Sequence, residues 1–310
     1  MKHTVDIGNY AIKTLLSSRE VRKVRSLFCD LQEWDTPKRH DDLSPLVVTD
    51  YGRYHFGTKA RHYNTCKALV NGDKLEPSIF VPAVLSTLTE QFNGQRVSLT
   101  ISVPAEYHDT RDLEAALVRK HQFYRNGEPT LVNITNVTKV LEGTGAWSYA
   151  KSLGLVKPEG YTVVLDLGGG TVNCLVIAED GEPVGNPISL DQAGGIALAT
   201  RIAQDPRFGR EVQDYPDTSL ILDGIAAGSW RYGQQATFHW GQDHIEPWFA
   251  GVKARLRAAI APHVRNVSGF LVVGGNADLV REYLPDTWVV PELPQEANIR
   301  GLALGGVHES

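Results

Sequence analysis

The feature that most constrains this chain is a short motif that occurs twice. Val5-Asp6-Ile7-Gly8 and Leu165-Asp166-Leu167-Gly168 each end an apolar run with an aspartate and a glycine turn, after which a second apolar run returns. Repetition of a strand–carboxylate–turn–strand unit across half a chain implies two α/β halves, each built outward from its own hairpin. The length of 310 residues agrees, because one hydrophobic core rarely keeps growing beyond about 250–300 residues. With 42% hydrophobic and 22% charged residues the chain is expected to bury a true core, which excludes a mainly disordered or collagen-like polymer.

Between the two motifs the pattern alternates strands and helices. The β-branched run Arg96–Val103 reads as a strand stopped by Pro104, and Asp109–Lys120 as an amphipathic helix. Leu131–Val137 reads as a second strand, and Lys139–Ser152 as a helix entered through Glu142-Gly143-Thr144-Gly145. The Lys157–Gly160 turn is the natural boundary. Domain I is therefore placed at residues 1–157 plus 297–310, with an inserted, partly exposed subdomain at about 39–94, and domain II at 158–296. In domain II the expected helices are Ile196–Gln204, Thr218–Tyr232, Ile245–Ala261 and Ala277–Tyr283, with a strand at Gly269–Val273 and a final helix over Asn298–Val307.

The chemistry sits at the turns. In Asp166-Leu-Gly-Gly-Gly-Thr171, the glycines Gly168, Gly169 and Gly170 let backbone N–H groups crowd an anion, and Thr171 adds a hydroxyl. A carboxylate at a strand end suits a hydrated Mg²⁺, which keeps several waters and takes one or two carboxylates plus phosphate oxygens. Asp6-Ile-Gly8-Asn9-Tyr-Ala-Ile-Lys13 is a second anion-binding hairpin, with a lysine on its returning strand. Gly274-Gly275-Asn276 follows an apolar strand and admits a flat ligand, but no G-x-G-x-x-G fingerprint is present, which argues against a dinucleotide-binding Rossmann fold.

The order of these segments resembles the actin/Hsp70/sugar-kinase ATPase superfamily. A first phosphate motif corresponds to Asp6–Lys13, a first connection to Val140–Tyr149, a second phosphate motif to Asp166–Thr171, an adenosine motif to Val272–Ala277, and a second connection to Asn298–Gly306. Within the superfamily the DIGNYAIK opening and the Asn298-Ile-Arg-Gly301 ending are most similar to bacterial and archaeal actin-like proteins of the ParM type. That resemblance implies a two-lobed actin-like (ribonuclease H-like) α/β fold with ATP or ADP in the interdomain cleft. It implies that Asp6 and Asp166 hold the water shell of Mg²⁺, that Gly8, Asn9 and Lys13 face the β-phosphate, and that Gly168–Thr171 surround the γ-phosphate. It further implies that Glu142 orients the attacking water, that Gly274, Gly275 and Asn276 line the adenosine, and that Gly194-Gly195 with Lys253 closes the base pocket. One position departs from the pattern: many relatives carry an aspartate where this chain has Asn173, and Asp191 is a neighbouring acid that could compensate.

The implied function is an ATPase that forms nucleotide-dependent filaments, in the manner of plasmid-partition proteins. A monomeric small-molecule kinase and a non-polymerising nucleotide switch are the alternatives within the same fold. With a net charge of -5 the chain has no general attraction for phosphate backbones, so any DNA cargo is expected to be gripped through an adaptor protein and not directly. Asp6 interrupts any signal-like apolar run and no spanning segment is present, so the expected location is the cytoplasm, away from membrane. Cys29, Cys66 and Cys174 lack disulfide or zinc spacing, and neither His239 with His244 nor His62 with Cys66 completes a ligand set. No serine or cysteine nucleophile motif is legible.

Overall fold

A computed structural model of the chain describes residues 1–16, 20–69, 75–104, 111–234 and 236–304. The chain divides into two compact units, Met1–Tyr149 with Asn298–Ser310, and Ala150–Ala297. The start of the helix expected from Asp109, and Gly306 of the second connection, lie outside the described residues.

The first unit is organised by a ten-stranded sheet. Its strands are β1 (Lys2–Ile7), β2 (Ala11–Leu15), β3 (Val21–Arg25), β4 (Leu27–Asp30), β5 (Leu46–Thr49), β6 (Gly52–Phe56), β7 (Lys67–Ala68), β8 (Arg96–Val103), β9 (Lys120–Arg125) and β10 (Glu128–Leu141). They lie in the order β3-β2-β1-β8-β10-β9-β5-β6-β4-β7. β10 makes this long sheet possible. Its first residues, Glu128–Asn133, pair antiparallel with β9, and from Asn133 onward, across an irregularity between Ile134 and Asn136, it runs parallel to β8. The stretch 39–94 thus joins the main sheet by strand pairing, and its Val47, Phe56, Phe80 and Val84 share one core with Val5, Ile7, Leu99 and Ile101. Helix α1 (Pro77–Thr87) buries every residue from Phe80 to Thr87, as expected of a segment that is apolar all round.

The second unit holds a five-stranded sheet of β11 (Tyr161–Leu167), β12 (Val172–Ile177), β13 (Ile188–Leu190), β16 (Val267–Val273) and β17 (Trp288–Val289), ordered β13-β12-β11-β16-β17. A short hairpin, β14 (Arg231–Tyr232) with β15 (Ala236–Thr237), stands apart. Pairing here is antiparallel, antiparallel, parallel, parallel, and the same sequence of pairings runs through β3-β2-β1-β8-β10. The two units therefore repeat one topology, with the aspartate hairpin as the second and third strands of each.

Helices follow the chain as α2 (Arg111–Leu117), α3 (Thr144–Ser152), α4 (Gly195–Ala203), α5 (Pro206–Glu211), α6 (Thr218–Ala226), α7 (Ile245–Ala259) and α8 (Ala297–Ala303). Three expectations are corrected. Lys139–Leu141 is strand, because Lys139, Val140 and Leu141 pair in register with Ile101, Ser102 and Val103; the helix waits for the left-handed turn at Gly143. α6 stops at Ala226, where Gly228 and then Trp230 take positive φ and the chain turns into β14. Asp278–Tyr283 forms a 3₁₀ turn in place of the α-helix expected over Ala277–Tyr283. Among the described residues, no helix is long and apolar enough to cross a membrane.

Candidate functional site

The first hairpin sets Asp6 directly across from Lys13 and Ile7 across from Ile12. Asp6 is only 4% exposed, so its charge must be met within the protein. Lys13 Nζ donates to Asp6 Oδ2 at 3.0 Å and Ser102 Oγ donates to Oδ1 at 2.9 Å. The turn itself is held from behind. Ser26, fully buried, donates its hydroxyl to Gly8 O and its N–H to Tyr10 O, and Arg25 donates to the same Tyr10 oxygen at 2.8 Å while its guanidinium covers the Tyr10 ring. A trans peptide directs its C=O and N–H oppositely, so with Gly8 O on Ser26 the N–H of Asn9 is directed the other way.

The second hairpin has the same register with different chemistry. Asp166 lies across from Asn173, and Leu167 across from Val172, leaving Gly168–Thr171 as the turn. Three carbonyls of that turn cap the start of α4: Gly195 N donates to Gly168 O at 3.0 Å, Ile196 N to Gly169 O at 2.7 Å, and Gly194 N to Gly170 O at 3.3 Å. Those bonds satisfy helix N–H groups that otherwise have no partner. By the same peptide geometry they direct the N–H groups of Gly169, Gly170 and Thr171 away from α4, as a concave row suited to an anion. Gly194 cannot be replaced cheaply, because a Cβ there would lie 2.6 Å from Gly168 O. Its turn is braced by buried Trp248, whose Nε1 donates to Ala193 O at 2.7 Å.

Gly274, Gly275 and Asn276 meet this hairpin at the end of β16. Gly274 has φ +95°, and a Cβ would overlap Asp166 Oδ1 and approach Leu167 O to 2.7 Å. The Asn276 side-chain amide is spent on the hairpin backbone, donating to Leu167 O at 3.2 Å and Gly168 O at 2.8 Å. Gly275 is exposed, with open space where its side chain would be. Gly194 and Gly195 thus seat the second hairpin, and Lys253 on α7 donates to Tyr283 O at 3.3 Å while standing over the Phe249 ring. Asp191 accepts from Ser189, the residue paired with Asn173 across β12 and β13.

Glu142 lies half-buried at the end of β10, its N–H bonded to Val103 O at 3.0 Å. The turn after it is tied to α8, since Asn298 Oδ1 accepts from Gly143 N at 3.3 Å. The helices cross at two glycines: a Cβ on Gly301 would overlap Gly145 O, and one on Gly145 would overlap Asn298 O. The two segments read as connections are thereby locked together at their first turns. Ser26, Ser102 and Arg25, which hold the first hairpin, have no local sequence signature and were not anticipated.

Residues 4–145 match the family of actin-like protein N-terminal domains. Solved structures share the architecture over the whole length. An archaeal actin homolog, Ta0583, in complex with ADP, superposes with a TM-score of 0.80 at 21% identity, covering 98% of each chain. The fold is actin-like. A 15-stranded ParM filament from Clostridium botulinum matches with a TM-score of 0.75 at 15% identity over 98% of this chain and 99% of that one, and the Alp12 filament with 0.69 at 13% over 98% of each. No curated protein matches the sequence. Within this actin-like fold the repeated five-strand topology carries the two hairpins as its matching parts.

Proposed function

We propose that this actin-like chain binds ATP with Mg²⁺, hydrolyses it, and assembles into nucleotide-dependent filaments in the cytoplasm that move DNA through a separate adaptor protein. The observation that carries the reading is the pair of hairpins, each with an aspartate one residue pair before its turn and turn N–H groups directed away from a bracing element. The residues fit a nucleotide: the carbonyls of Gly168, Gly169 and Gly170 are engaged by the start of α4, which directs the following N–H groups outward toward an anion, and Gly275 leaves open space for a flat base. Mg²⁺ fits as well. Among the described residues no group of three or more metal-ligating side chains is assembled, and a hydrated Mg²⁺ needs only the one or two carboxylates that Asp6 and Asp166 supply. When bound, Mg²⁺ would neutralise charge on the phosphate oxygens.

The chain's own residues then divide the work. Gly8, Asn9 and Lys13 bind the β-phosphate, and the N–H row of Gly169–Thr171 with the Thr171 hydroxyl holds the γ-phosphate in line. Glu142 accepts a proton from the attacking water or orients it. Gly274 and Gly275 face the adenosine, while Asn276, Gly194 and Gly195 act by fixing the turn, and Lys253 borders the base. Support for the ligand and the assembly comes from relatives: Ta0583 was solved with ADP, and the ParM and Alp12 structures are filaments.

The test adds Mg-ATP to the purified protein and follows melting and light scattering together. Binding to the folded state raises Tm by mass action, and Asp166→Ala should remove most of that rise. Scattering should appear above a threshold protein concentration. An unmoved melting curve at millimolar Mg-ATP overturns the binding site; binding without a threshold, with ADP released only on adding a small-molecule acceptor, replaces the filament with a kinase. A gel shift with the chain alone at about 0.15 M salt should show no DNA complex.

A further inference from the structure

Side chains alternate across a strand, so the face of β1–β3 opposite Asp6 and Lys13 carries His3, Thr14 and Arg22. His3 Nε2 lies 3.4 Å from Thr14 Oγ1, and Thr14 is in register with Arg22. Beside them lies a cavity of about 470 Å³, lined by Arg22, Asp42, Arg125, Asn126 and Thr130 among others. Asp42 bridges two guanidinium groups there, one carboxylate oxygen 3.2 Å from Arg22 Nη2 and the other 2.8 Å from Arg125 Nη1. Arg125 is 7% exposed, and its Nε donates to Ser86 O at 2.8 Å.

The arrangement leaves donors over. Arg22 Nη1 and Arg125 Nη2 are shielded from solvent and have no hydrogen-bond partner among the described residues. Two guanidinium charges share one carboxylate that is itself half exposed, and buried charged donors left unmet are costly. What those two nitrogens lack is an acceptor, and one with two oxygens has the geometry that guanidinium pairs recognise.

We infer that this cavity binds a small oxyanion, a phosphate or a carboxylate, between Arg22 and Arg125, with Thr130 and Asn126 as further polar partners. It is separate from the proposed nucleotide site, since it lies on the other face of the same strands. Two exposed carboxylates, Glu90 and Glu128, also line it and repel extended polyanions, and no aromatic side chain is present among its lining residues to stack a base. The ligand is therefore compact.

Isothermal titration of the full chain, with Mg-ADP present and ionic strength held constant, tests this with inorganic phosphate and with acetate in separate arms. Saturable binding of at least one, at roughly millimolar Kd, is expected, and the arm that saturates identifies the source. Arg22→Gln should weaken it about tenfold through loss of a charge-assisted pair, whereas Asp42→Asn should tighten it by removing the competing acceptor. Arg125→Met should abolish it, with circular dichroism reporting whether that variant folds; Arg22→Gln decides if it does not. No saturable heat in either arm, or binding indifferent to Arg22→Gln, would overturn the inference.

Discussion

The two hairpins have one backbone plan and opposite ways of managing charge. In the first, the buried Asp6 is answered within the hairpin by Lys13, straight across the strand pair, and the turn is pinned by side chains of the next strands, Arg25 and Ser26. In the second, Asp166 is less buried and faces neutral Asn173, and the turn is pinned by backbone, through the first N–H groups of α4 and the amide of Asn276. The first hairpin thus presents a cation, the second a row of N–H dipoles. An aspartate at position 173 would set two carboxylates opposite each other, which is unfavourable unless a cation sits between them. Asn173 removes that repulsion.

The largest expected effect separates both hairpins from catalysis. Glu142 belongs to neither, so Glu142→Ala should leave the Mg-ATP-dependent rise in Tm intact while lowering turnover by about 10²–10⁴-fold, the usual contribution of a positioned acid or base; an unchanged rate would reduce Glu142 to a turn residue. Next comes the contrast in charge. Lys13→Met strands a buried carboxylate and should cost about 3 kcal/mol in denaturant unfolding, whereas Asn173→Ala should cost less than about 1 kcal/mol. Equal losses would erase the distinction between the hairpins.

The back face of β1 offers a third measurement. Burial, and secondarily Arg22, push His3 down to about 3 from its ordinary 6.5. The folded state therefore favours neutral His3, and the stability tied to it is full above pH 6.5 and is lost as pH falls from there toward 3. At pH 5 the loss is about 2 kcal/mol, and His3→Gln should flatten that part of the pH–stability curve; a wild-type slope in the variant would exclude His3 as its source. The smallest effect is Asn173→Asp, about 0.5–1 kcal/mol destabilising without ligand, which Mg-nucleotide should offset. A variant whose deficit persists with Mg-nucleotide would place no cation near Asp166.

Much of the site was legible in the chain because its signals are local. An apolar period-two run, an aspartate and clustered glycines specify a hairpin within a dozen residues, and both hairpins form at the expected places. Glycine positions were equally readable at Gly143, where the chain turns with φ 97°, and at Gly274. The end of β10 was not: Thr138 to Leu141 continues as strand because β8 offers a parallel edge, a partner some forty residues earlier that no window of local pattern contains.

What the sequence by itself determined is thus the set of turns and the repeated order of strands, both products of backbone conformation and short-range periodicity. Only the tertiary structure decided what braces them. Ser102 reaches Asp6 from a separate strand, Asn276 reaches Leu167 and Gly168 from the end of the neighbouring strand β16, and α4 delivers its first N–H groups to Gly168–Gly170. Each of those contacts joins residues distant along the chain, and buried polar groups take whichever partner the packed fold brings within about 3 Å, a choice made by three-dimensional proximity and not by sequence spacing.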